Sequence, residues 1–276
     1  MKFKLLFLVG LMLPAFVVFG QKAFNPEMKL AKADVLKYEV NFDGNIVQSM
    51  GGQEMVIKLS GSSKNMLTVE NELPNNAYQF TMKMSDIVLS MNMPMMDTTM
   101  TIPEVPGTPI IVVDKFGKLL RKIDTTAKNQ AGIGIDPASM GGASPFHQFA
   151  GKKLKNGEKW NVERNDTMPF MGGSIINLNK LEYVLMGVEK VDEVNYLKAT
   201  YKGTVDSKGS TSMQGMEFYI EGTGVVEGTV YFDLKKFVPV LEDNTSENEM
   251  TLALTGQQNM TIPMSQKMTL KRKLVQ

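Results

Sequence analysis

The sequence predicts an all-β protein: an antiparallel curved sheet or half-barrel with one short helical cover, or, as the alternative, a two-sheet sandwich. Three observations carry this. Tyr78, Phe80, Met82 and Met84 alternate with Gln79, Thr81 and Lys83, the period of two that gives a strand one apolar and one polar face. Similar stretches recur along the chain, separated by turn residues at roughly 8–15-residue spacing, which favours antiparallel hairpins over βαβ units. Helical periodicity is almost absent.

The chain opens with Lys2 and Lys4, then an uncharged run from Leu5 to Phe19, with Val18 and Gly20 at the −3 and −1 places of a cleavage site before Gln21. This pattern predicts a secretory signal peptide over residues 1–20. The run contains Gly10 and Pro14 and is shorter than the roughly 20 residues of a spanning helix, which disfavours the alternative of a membrane anchor. The expected location is exported, periplasmic or extracellular. With no Cys in the chain, no lipid-anchor cysteine follows the run.

Residues 21–276 are then expected to form a single β-rich domain. Strands are predicted at Val35–Phe42, ending at Asp43-Gly44; at Glu54–Leu59, ending at Ser60-Gly61; and at Met66–Glu70, ending near Pro74. The alternating run from Tyr78 slips phase at Ser85-Asp86 and resumes at Ile87, Leu89, Met91, Met93 and Met95. One extra residue there predicts a β-bulge or a tight corner. Ile110–Val113 and Leu119–Ile123 flank Asp114-Lys115-Phe116-Gly117, a hairpin signal. Later strands are predicted at Lys159–Glu163, Ile175–Val188, Tyr196–Thr204, Met216–Ile220, Gly224–Phe232, Val238–Leu241, Glu247–Leu254 and Met264–Leu274.

Thr125–Asn156 lacks strand character. Asp136-Pro137 could cap a short helix, and Phe146, Phe149 and Leu154 are expected to pin this long connection onto the sheet. Weak internal matches suggest two pseudo-repeat halves, about 30–124 and 157–276, joined by that connection. Asn41-Phe42-Asp43-Gly44 pairs with Thr200-Tyr201-Lys202-Gly203, and Val112-Val113-Asp114 with Tyr231-Phe232-Asp233. The bland alternative is that hairpin-rich sheets resemble one another.

Composition excludes several functions. Without Cys there is no disulfide, thiol nucleophile or Cys metal site, and one His cannot build a poly-His site. A net charge of +1 is no footprint for nucleic acid. There is no Gly-x-Ser-x-Gly elbow for a hydrolase using His147 as base, no phosphate loop and no calcium loop. His147 reads as an ordinary polar loop side chain, and Asp192/Glu193 and Glu242/Asp243 as solvated turn acids. No catalytic residue, metal ligand or cofactor is called.

The 23 methionines are the positive signal. Met is flexible and polarizable and adapts to varied apolar partners. Tyr78, Phe80, Met82, Met84, Leu89, Met91, Met93 and Met95 form the candidate apolar wall, read either as plain core or as a lumen for an apolar small molecule or lipid. Cu(I) binding is a minor reading, because a strand does not converge three sulfurs on one point. Trp160 reads as core. Lys152-Lys153-Lys155 and Lys271-Arg272-Lys273 read as solvated edges, with contact to an anionic membrane surface as the alternative. A membrane-spanning barrel is the structural rival and would need aromatic girdles. The sequence leaves the oligomeric state open.

Leu36-Lys37-Tyr38-Glu39-Val40, Leu154-Lys155-Asn156-Gly157-Glu158-Lys159-Trp160, Leu181-Glu182-Tyr183-Val184-Leu185 and Phe232-Asp233-Leu234-Lys235-Lys236 together resemble a family of exported, Bacteroidetes-like bacterial proteins known as a domain of unknown function. More distantly they are similar to the half-barrel of lipoprotein carriers of the LolA/LolB kind. The resemblance implies a curved sheet with a small helical cover that holds acyl chains, and it carries over no catalytic residues. The function expected is a non-catalytic envelope module binding an apolar ligand; the alternatives are a structural or interaction protein with a filled core and, less favoured, a hydrolase or Cu(I) binder.

Overall fold

A computed structural model describes residues 23–94, 96–104, 107–123, 145–170, 173–213, 216–255 and 259–275. The signal peptide over 1–20, Met95 and the short helix at Asp136-Pro137 lie outside the described residues.

Twelve strands build one antiparallel sheet: β1 Val35–Met50, β2 Gln53–Leu73, β3 Ala77–Met93, β4 Met96–Glu104, β5 Ile110–Val113, β6 Leu119–Ile123, β7 Lys159–Phe170, β8 Gly173–Val191, β9 Val194–Met213, β10 Met216–Asp233, β11 Pro239–Thr255 and β12 Met260–Val275. Their order is β6-β5-β3-β2-β1-β12-β11-β10-β9-β8-β7, with β4 also on β3. The sheet curls into a half-barrel, as expected, and the sandwich alternative does not hold. Pairing of β1 with β12 joins the two halves of the chain in one continuous ladder. Among the described residues the only helical element is a 3-10 turn at Pro74–Asn76.

The strands are longer than the sequence suggested, and inward glycines explain part of the difference; in β11 the polar run 242–246 is likewise strand. Asp43-Gly44, Ser60-Gly61 and Gly222 read as strand ends, yet β1, β2 and β10 run straight through them. Each of these glycines faces inward, directly opposite a large side chain on the paired strand: Gly44 opposite Met268, Gly61 opposite Phe42, Gly222 opposite Met250 and Gly228 opposite Tyr201. A Cβ on Gly228 would stand 2.6 Å from Tyr201 Cζ, and one on Gly222 2.5 Å from Met250 Cγ. The missing side chain is the slot in which the neighbour lies.

The true turns carry positive φ. Gly51 (60°) and Gly52 (80°) turn β1 into β2 between the paired residues Met50 and Gln53, the geometry of a type I′ hairpin. Asp114 Oδ1 accepts the amides of Phe116 and Lys118 at 2.9 Å, fixing the β5–β6 hairpin. Asp233 does the same for Lys235 and Lys236.

The phase slip at Ser85-Asp86 is a bulge within one strand, not a corner. Ladder pairs Lys64/Ser85 and Ser62/Val88 show one extra residue on β3, with Asp86 at φ 50°. It keeps Met84 and Ile87 on the same buried face.

The core lies against one end of that inner face, in two clusters. The first gathers Leu36, Tyr38, Leu67, Phe80, Met82 and Ile111, among others. The second gathers Trp160, Leu181, Tyr183, Leu197 and Phe232. Two non-strand segments fill the concavity: a lead (residues 23–31) and a strap (residues 145–154). Phe24 and Leu154 bond reciprocally through their backbones at 2.8 and 2.9 Å. Phe146, Phe149 and Leu154 are buried, so the connection is pinned as its apolar residues predicted. Phe146 packs on Phe80 of the first cluster, and Phe149 on Phe232 of the second.

Candidate functional site

The expected apolar wall divides by depth. Tyr78, Phe80, Met82, Met84 and Leu89 are buried; Tyr78 also donates to Met28 O at 3.0 Å and so ties the lead to β3. Met91 and Met93 are half-buried on the same face, past the bulge. Neighbouring strands extend this half-open region. One cross-strand row runs Met91, Leu59, Gly44, Met268. The next inward row runs Ile57, Ile46, Gln266, Asn248, and the one after it Met55, Gln48, Met264, Met250, with Gln48 Nε2 donating to Met264 Sδ at 3.5 Å. Met250, Met264 and Met268 are half-buried. Beyond the core the inner face therefore carries half-buried methionines on β2, β3, β11 and β12, interspersed with the polar Gln48, Gln266 and Asn248. Sequence reading found only its β3 part, because the ladder register that aligns the rest is not visible along the chain.

The outer face carries charged rows between exposed apolar residues such as Ile176, Tyr219 and Val225. Glu163 pairs with Lys180, Glu182 and Glu227 flank Lys202, and Glu247 meets Lys267 across their ladders. Charged rows of this kind oppose a lipid-facing role for these strands. Two open clefts are lined largely by polar and charged residues: about 630 Å³ beside Glu27, Asp34, Lys115 and Lys236, and about 1070 Å³ on the outer side of β7–β11.

Between the two core clusters lies a buried ionic group that sequence reading missed. Arg272 and Glu242 are direct ladder partners on β12 and β11, each 8% exposed. The sequence reading took both as solvated; the structure corrects this. The alternation Leu270, Arg272, Leu274 was the overlooked signal, since it puts Arg272 in phase with inward residues while Lys271 and Lys273 face water. Arg272 Nη2 bonds Glu242 Oε2 at 2.5 Å, and its guanidinium lies 5.4 Å from the Tyr38 ring centre.

His147 comes to this pair from the strap, and it too is buried rather than a free loop side chain. Its Nε2 lies 3.1 Å from Glu242 Oε1, and its Nδ1 2.9 Å from the Tyr183 hydroxyl. Because the Glu242 carboxylate can only accept, the proton is assigned to Nε2, which donates to Glu242 even with Arg272 Nη2 3.3 Å away, while Nδ1 accepts from Tyr183. Tyr201 donates to the same Glu242 oxygen at 2.7 Å, and Asn244 at 3.3 Å.

The electrostatics agree with that assignment. Burial lowers the His147 pKa and outweighs the pull of Glu242, so the ring is neutral. Burial pushes Glu242 up, but Arg272 and His147 together hold it well below the usual carboxylate range. Burial raises Tyr183, Tyr201 and Tyr38, keeping all three protonated. Both nitrogens of His147 are engaged, by an acid and a phenol. The group has the form of a polar anchor that ties the strap to β8, β9, β11 and β12. A smaller polar set lies on the inner face of β7–β9, where Asn179 donates to Asp166 at 3.0 Å and Ser207 to Asn177 at 2.7 Å. Among the described residues no group of three His, Cys, Asp or Glu could hold a metal ion.

No family model and no curated protein matches the chain. Among solved structures it is faintly similar to an outer membrane channel from Pseudomonas putida F1, with TM-score 0.30 and 6% identity over 90% of this chain and 98% of that one. It is similar likewise to OmpT, an outer membrane protein of Vibrio cholerae, at TM-score 0.21 and 8% identity over 89% and 100% of the two chains. OpdQ of Pseudomonas aeruginosa follows at 0.20 and 7%, over 88% and 99%. Scores this low carry nothing over to this chain.

Proposed function

We propose that this chain is an exported, non-catalytic envelope protein that holds an apolar ligand, a lipid, on the half-open part of its inner face. The observation that carries the reading is the set Met91, Met93, Met250, Met264 and Met268, half-buried on one face beyond the packed core. Thioether side chains re-pack around ligands of varied shape at little cost. The charged outer rows Glu163/Lys180, Glu182/Lys202/Glu227 and Glu247/Lys267 contrast with this set. Lys2, Lys4 and the uncharged run to Phe19 support export to the periplasm or beyond.

Native mass spectrometry on residues 21–276, purified from the envelope without detergent, tests the reading. Extra mass that leaves on denaturation and extracts as lipid supports it. Bare polypeptide mass counts against it and favours a second reading, a structural envelope protein with a filled core. That alternative draws on the burial of Tyr78, Phe80, Met82 and Met84. Replacing Met91 and Met93 with Lys should abolish uptake in a folded variant.

A further inference from the structure

We propose that the strap formed by residues 145–154 is an acid-released latch, held on the inner face through neutral His147 and freed when that ring takes a second proton. The inference does not depend on the ligand reading.

The geometry makes His147 the polar keystone of the strap. Phe146 enters one core cluster and Phe149 the other, so His147 sits at their junction, against the one carboxylate that also serves Arg272. The rest of the strap is held by the buried side chains of Phe146, Phe149 and Leu154 and by hydrogen bonds. The Phe149 amide donates to Phe116 O at 2.8 Å, the Leu154 amide to Phe24 O at 2.9 Å, and Trp160 Nε1 to Gln148 O at 2.9 Å.

The groups facing His147 come from every strand around it. They are Glu242 on β11, Arg272 on β12, Tyr183 on β8 and Tyr201 on β9, with Arg164 of β7 acting at longer range. Phe232 of β10 closes the ring edge-on. In the neutral state the cluster holds one negative and one positive charge. Protonation of the imidazole adds a second cation 3.3 Å from Arg272, and the next acid, Asp166, is already engaged by Arg164 and Asn179. A buried group carrying unbalanced charge is costly. Among the described residues the strap is the only member of the cluster outside the sheet ladder, so withdrawing it, with exposure of Phe146 and Phe149, relieves the imbalance without unzipping a strand. Burial lowers the His147 pKa as this requires.

The sole tryptophan reports the event, because Trp160 stacks on Tyr183 and bonds the strap backbone. On the full chain, Trp160 emission and far-UV circular dichroism would be followed from pH 8 to pH 5. The expected result is a reversible emission change below the ordinary histidine range with the sheet signal retained. The change should be absent in H147Q, whose amide can still donate and accept but cannot gain charge. Hydrogen exchange, corrected for intrinsic rate, gives a readout that needs no variant: Phe149 and Leu154 amides should lose at least about tenfold protection at pH 5 while Leu185 and Val230 keep theirs. Constant emission, an unaltered transition in H147Q, uniform protection, or emission changing only together with loss of the sheet signal would each overturn the proposal.

Discussion

Glu242 and Arg272 face each other directly across the β11–β12 ladder, point into the half-barrel, and are joined at 2.5 Å where the two core clusters meet. The pair, with His147 above it and Tyr201 beside it, occupies a junction that hydrophobic side chains would otherwise fill. Removing one partner leaves the other charged and buried, which costs about 3–5 kcal/mol. Arg272→Met and Glu242→Leu should each lose about that much in urea unfolding. The double variant should lose clearly less than the sum, because no orphaned charge remains. Additive losses would show that the two side chains do not act as a buried pair.

The glycine slots give a prediction of opposite sign to the usual one. Ala in place of Gly within a strand ordinarily stabilises by about 0.5–1 kcal/mol through the unfolded chain. At Gly228 the added methyl would meet Tyr201 Cζ at 2.6 Å and Asn244 Cβ at 2.8 Å. Overpacking of that kind costs about 1–3 kcal/mol. Gly228→Ala should therefore lower the urea midpoint; an unchanged or higher midpoint would mean that Tyr201 does not rest in the slot.

These slots also show what the sequence could and could not convey. Period-two alternation exposed the all-β character, and the phase slip at Ser85-Asp86 exposed the bulge, because both are local patterns. Gly44, Gly61 and Gly222 looked like turns because a strand-breaking residue is compensated here by a partner far along the chain, such as Met268 for Gly44. The candidate site split the same way. The β3 methionines were legible within one strand, whereas Met250, Met264 and Met268 join them only through the ladder. The ionic group stayed hidden because its members lie on β11, β12 and a connection, and because charge outweighed phase in reading Arg272 and Glu242.

At the bulge, Asp86 holds φ 50° and is paired with Lys64 on the exposed surface, at 58% and 59% side-chain exposure. An exposed pair contributes little, so backbone conformation dominates. Asp86→Gly should leave thermal stability unchanged or raise it slightly, while Asp86→Val, which tolerates positive φ poorly, should cost about 1–2 kcal/mol. Deleting Asp86 should be tolerated, since it removes the extra residue and leaves Met84, Ile87 and Leu89 in plain alternation on the buried face; loss of the cooperative melt would refute the reading of Asp86 as the bulge.

Acid stability should fall in two stages, each with a separate owner. For His147 the folded pKa lies below the ordinary 6.5. Its contribution is present above that pH and is lost as pH falls further, because the unfolded chain then binds the extra proton more readily. Glu242 is likewise held below the ordinary 4.5, so the stability it contributes is present above that value and disappears as pH drops through the folded pKa. Between each folded and unfolded pKa, stability changes by about 1.4 kcal/mol per pH unit for each group. Urea midpoints at pH 8, 6, 5 and 4 separate them. His147→Gln should flatten the decline between pH 6.5 and 5 and leave the lower one. Glu242→Gln should lower stability at pH 8 and flatten the decline below pH 4.5. If stability is constant from pH 8 to pH 5, the neutral, buried state of His147 is wrong and the latch fails with it. If only the lower stage persists in Glu242→Gln, other carboxylates govern acid unfolding and the junction is not its origin.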